Sequence, residues 1–212
     1  MGIKYGFFTL TLVFLVFANS SHACMLHEIW QSRGGEIKLT LDTTSLQAAE
    51  LDIQLSGYAV ARQMPMQNGR QVYHLMGRDE QALLTKADAT GMNQVISGRI
   101  ALDLAMHIHI DNNIIKLSGL HLSLHNGDRP VVRFIDEHGA VWLTTHSLSL
   151  LAAATHEPVR FQPMTVYPGG MLMHRYPGLV GAEVVVGELD MVFPPPANLQ
   201  TLYSVADAEQ PL

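Results

Sequence analysis

Cysteine is almost missing from this chain. The 212 residues hold one, Cys24, so no internal disulfide can staple the fold. Charge is also sparse, at 15% of residues with a formal balance of −6, and lysine and arginine nowhere cluster. Nucleic-acid binding and electrostatic docking on anionic lipid both need such a cluster, and neither is expected. Catalytic signatures are lacking as well. There is no Gly-x-Ser-x-Gly elbow, no His-Glu-x-x-His pair and no glycine-rich phosphate loop. His27-Glu28 comes nearest, but Ile29-Trp30-Gln31 follows where a second zinc histidine would have to stand. A non-catalytic protein is therefore the expectation.

What is present begins with a short leader. Lys4 precedes an apolar run from Phe7 to Ala18, and Ser21 and Ala23 are the small residues that a signal peptidase reads. That run is shorter than the roughly 20 residues a spanning helix requires, and no later run reaches that length. Residues 1–23 are expected to be a cleaved signal peptide, with a cut after Ser20 as the alternative. No transmembrane span would remain after cleavage. The protein is then exported, to the periplasm or beyond the cell, with Cys24 as its first mature residue. Either that cysteine is simply free, or it is a lipidation candidate that anchors the chain. Ser21 and His22 depart from the usual sequence before a lipidated cysteine.

Nearly every later segment alternates apolar and polar residues, which is the strand period. Examples are Glu36–Asp42, Leu51–Tyr58, Gln71–Met76, Pro130–Asp136 and Ala140–Thr145. Arg78–Asp88 reads as a short helix, and Met171–Tyr176 as a strand. Pro194-Pro195-Pro196 lacks backbone donors and should end the ladder. The expected fold class is all-β: an antiparallel β-sandwich or barrel of about ten strands. Residues 24–196 form one domain and 197–212 a loose tail, with a β-solenoid as the alternative architecture.

The most suggestive stretch lies between Arg99 and His125. Ile100, Leu102, Leu104, Met106, Ile108 and Ile110 share one face, and His107 and His109 share the other. Pairing around Asn112-Asn113 sets Ile110 against Ile115, Ile108 against Leu117 and Lys116 against His109. A bulge at Ser118-Gly119 then sets Ala105 against His121, Asp103 against Ser123 and Ala101 against His125. On this register His107, His121 and Asp103 surround a common point, with His109 and His125 nearby. Two imidazoles and a carboxylate suit copper or zinc. A plain wet strand face is the competing interpretation.

A second pattern combines Met64, Met66, His74, Met76, Met164, Met171, Met173 and His174, soft ligands for copper(I) or flexible core filler. Asp136-Glu137-His138-Gly139 groups acids with a histidine at a hairpin turn. Tyr167, Tyr176 and Trp142 are candidates to line a carbohydrate or lipid groove. The functional expectation is an exported non-catalytic binding protein that holds copper or zinc on the histidine hairpin. The alternative is a filament, adhesin or lipoprotein component of the envelope, with a protein partner and no metal.

Overall fold

The computed structural model describes residues 29–77, 82–88, 90–125, 130–151, 154–180 and 184–198. The expected signal peptide, Cys24 and most of the expected tail lie outside the described residues. The chain is predominantly β. The strands are β1 Ile29–Arg33, β2 Glu36–Asp42, β3 Leu51–Ser56, β4 Val60–Gln63, β5 Arg70–Met76, β6 Ala82–Ala87, β7 Asn93–Ala101 and β8 Ala105–Ile110. They continue as β9 Asn113–Leu117, β10 His121–His125, β11 Val131–Ile135, β12 Val141–Thr145, β13 Val159–Arg160, β14 Met164–Pro168, β15 Gly187–Phe193 and β16 Ala197–Asn198. Two six-residue helices, α1 Thr43–Ala48 and α2 Gly170–Arg175, interrupt them.

One large curled antiparallel sheet runs in the order β16-β1-β6-β7-β10-β11-β12-β14-β15-β2-β5-β4, with β13 joined to β15. A second sheet, β3-β8-β9, packs its apolar side onto the same hydrophobic cluster. Alternation decides what goes inside. Ile37, Leu39 and Leu41 of β2 are buried, as are Ile53 of β3, Leu75 of β5 and Leu189 of β15. Each such side chain contributes roughly 1.5–3 kcal/mol by leaving water.

Three local expectations are corrected. Where Arg78–Asp88 reads as a helix, residues 82–87 form β6. That strand buries Leu83 and Thr85 on one face and pairs with β1 and β7, and two ladders outweigh a modest helix propensity. Met171–Tyr176 is not a strand but α2 and its C-cap. The Gly169 amide donates to the Trp142 carbonyl at 2.6 Å, so the chain leaves β14 against the backbone of β12. A Cβ on Gly169 would sit 2.5 Å from the Val141 oxygen, and only glycine permits this approach. Finally, the three prolines do not end the ladder, because Ala197 and Asn198 return to pair with Gln31 and Trp30 at the sheet edge.

Candidate functional site

The histidine hairpin exists, with a different register. Asp111 and Asn112 form its turn, at φ 48° and 62°, as a type I′ hairpin requires. His107 therefore opposes Lys116, His109 opposes Ile114 and Ile108 opposes Ile115. All six apolar residues of the expected core face are indeed buried. The ribbon then bends from one sheet into the other. Leu102 donates to the Leu120 carbonyl at 2.8 Å, and beyond that point His121 opposes Ala101 rather than Ala105.

This register disperses the expected metal ligands. His107 and His109 lie on the outward face of the three-stranded sheet, beside Gln54 and Asp52 of β3. His121 lies in the large sheet, opposite a residue six positions before His107. Residues 102–104 between them belong to neither strand and carry the chain from one sheet to the other. Asp103 sits in the crossing segment, where its carbonyl accepts from the Ala59 amide at 3.0 Å. His125 ends β10 opposite Ser97 and Val131. Among the described residues, no three His, Cys, Asp or Glu side chains are placed to share a metal ion. Titration with copper or zinc is expected to reveal no equivalent that needs both His107 and His121. One bound equivalent that vanishes in either single alanine variant would overturn this placement.

His121 has a structural environment instead. It is buried, and its Nδ1 lies 3.4 Å from the Gly119 carbonyl. Burial pushes the imidazole below its ordinary value, only partly countered by that carbonyl and by Asp136. The soft-ligand pattern is likewise spread out. Met164 is buried in β14, Met171 and Met173 pack from α2 onto the core, and Met76 is exposed at the end of β5. Met66 is also exposed, and its sulfur accepts from Thr43 Oγ1 at 3.5 Å.

The acidic turn is a brace. Asp136 Oδ1 accepts from the amides of His138 and Ala140, each at 2.9 Å, and Oδ2 accepts from Trp142 Nε1 at 2.9 Å. Burial pushes the carboxyl up, but the hydrogen bonds from Trp142, Ala140 and His138 more than reverse this and hold it below its ordinary value. Trp142 is in turn buried, and the Arg175 guanidinium stands 5.3 Å from its ring centroid. The brace thus holds the ring over which Arg175, an exposed cation at the end of α2, is placed. Of the other aromatic candidates, Tyr167 stacks on His146 at 3.9 Å and Tyr176 turns to the space beside Arg175.

That space is a cleft of about 790 Å³, within the range of small-molecule sites. One wall is α1 with its C-terminal end and the β8–β9 turn, presenting Ser45, Glu50 and Asp111. The other is Arg175, Tyr176 and the 3₁₀ turn Pro177–Leu179. Ile110, Leu179 and Val184 are buried at its apolar base. Asp42 starts α1 by accepting from the amides of Thr44 and Ser45 at 3.1 and 3.0 Å. The helix ends without glycine. Glu50 takes the left-handed position, φ 56°, that glycine usually occupies after a helix. A glutamate there is strained by roughly 1 kcal/mol or more, and such outliers gather at functional sites.

Reading the sequence alone misses this cleft, apart from Tyr176. Its remaining lining comes from segments whose individual patterns say only helix end or loop. The one local signal is Ala48-Ala49-Glu50, a helix end without a glycine or asparagine stop. Comparisons with protein-family models, with curated proteins and with solved structures return no match for this chain.

Proposed function

We propose that this is an exported, non-catalytic binding protein whose ligand seat is the cleft between α1, the β8–β9 turn and α2. The two sheets act as a β-sandwich frame that holds the walls apart. The observation that carries this reading is the convergence of three separate elements on one concavity. Acids line one wall, a braced arginine stands on the other and the base is apolar. An apolar pocket with a few polar groups fixed in place is the usual form of a small-molecule site. Export rests on the leader-like residues 1–23, and an exported binding protein fits the sparse charge of the chain.

Gly178 provides the test, because a Cβ there meets nothing within 4 Å while the residue lines the cleft. Gly178→Phe should fill the space with no backbone clash. Native mass spectrometry of full-length protein, purified from producing cells by gentle lysis, is expected to show a non-covalent adduct in the wild type. The adduct should be absent from Gly178→Phe at an unchanged melting temperature. Identical spectra for the two proteins would overturn the reading.

A further inference from the structure

We infer that the cleft takes a short zwitterionic peptide, its ammonium on the Glu50 and Asp111 wall and its carboxylate on Arg175. This rests on the cleft being the ligand seat and adds the chemical class of what sits there. The charges come from different elements of the lining. Glu50 follows α1 and Asp111 belongs to the β8–β9 turn, whereas Arg175 ends α2, and all three line the one cleft. They have not collapsed onto each other. Among the described residues, the partner of the Arg175 guanidinium is the Trp142 ring, and no carboxylate lies within ion-pair distance of it. A guanidinium stacked on an indole keeps its N–H edge available, and that planar fork matches a carboxylate in two parallel hydrogen bonds.

Both acids sit at left-handed backbone positions. Glu50 keeps a left-handed conformation that glycine would adopt with less strain, and Asp111 is the first of two left-handed turn residues. Between these poles, buried Ile110, Leu179 and Val184 offer an apolar base. A neutral sugar would leave all three charges unanswered. A dicarboxylate would meet Arg175 but be repelled by Glu50 and Asp111, and a diamine would suffer the reverse. A molecule with an ammonium at one end, a carboxylate at the other and an apolar body answers every group. Three extended residues span about 10 Å, a length suited to a cleft of this volume.

Isothermal titration of the full chain with Ala-Leu-Ala, its carboxy-terminal amide and its amino-acetylated form tests the assignment. Each blocked form is expected to bind about tenfold more weakly or worse, as losing a charged hydrogen bond implies. In Arg175→Gln the peptide and its amide should bind alike, while the acetylated form remains the weaker. In Glu50→Gln/Asp111→Asn the peptide and its acetylated form should bind alike, while the amide remains the weaker. Melting temperatures beside the titrations check that each variant is folded. No binding of Ala-Leu-Ala, or equal binding of all three forms by the wild type, overturns the peptide assignment. The binding reading itself survives that result if Gly178→Phe still loses its adduct, and falls with it if Gly178→Phe changes nothing.

Discussion

Replacing Asp136 with alanine is expected to cost about 3–4 kcal/mol, a large share of the roughly 5–15 kcal/mol that a domain has. The carboxylate accepts from the amides of His138 and Ala140 and from the indole of Trp142. Trp142 is 2% exposed, so water cannot replace the lost acceptor, and the orphaned N–H bears its full desolvation penalty. Asp136→Asn should cost less, about 1–2 kcal/mol. Its single oxygen can still serve the two turn amides, but its amide nitrogen then faces the indole donor. Urea unfolding at neutral pH measures both. An alanine variant within about 0.5 kcal/mol of wild type, the range of an ordinary surface substitution, would remove the brace from the account.

The same carboxylate sets a pH dependence. The folded form holds Asp136 below its ordinary value, so it contributes stability above the unfolded-state value of about 3.9. That contribution fades as pH falls through the lower folded value. The stability gap between wild type and Asp136→Asn should therefore be full at neutral pH and narrow steadily below about pH 4. Asp42 moves in the same direction, because the amides of Ser45 and Thr44 hold its carboxylate below the ordinary range, and it adds to the acid sensitivity of the whole domain. Only the Asp136 part of that sensitivity should disappear in Asp136→Asn.

Gly187→Ala is expected to be as damaging through a different cause. Gly187 opens β15 opposite Leu41 of β2, in the interior of the large sheet. An added Cβ would run into the Thr40 carbonyl oxygen and lie 2.9 Å from its carbon and 3.0 Å from Leu41 Cα. These are backbone atoms in a paired strand, so no rotamer change relieves the contact and the strands must part. Overpacking of this kind costs about 3 kcal/mol or more, which lowers the melting temperature by about 6–12 °C in a domain of this size. Differential scanning calorimetry would measure it. Gly178→Ala, at a glycine with open space, is the control and should move the midpoint by no more than a degree or two. Equal midpoints for the two alanine variants would show that β15 and β2 tolerate the extra atom.

The sequence by itself determined which residues face the core. Period-two alternation is a local property of each strand, so the burial of Ile100, Leu102, Leu104, Met106, Ile108 and Ile110 follows from residue order alone. Predominantly β architecture and the turn nature of Asp136–Gly139 were legible for the same reason. Partnership was decided only in three dimensions. The turn at Asp111-Asn112 in place of Asn112-Asn113 shifts the hairpin by two residues, and two is the shift that alternation cannot detect, because every side chain keeps its face. The bend at Leu102 and Leu120 then carries His121 into another sheet and separates it from His107. The cleft is a tertiary product throughout, since α1, the β8–β9 turn and α2 are distant in sequence and meet only because packing of the shared core brings them together.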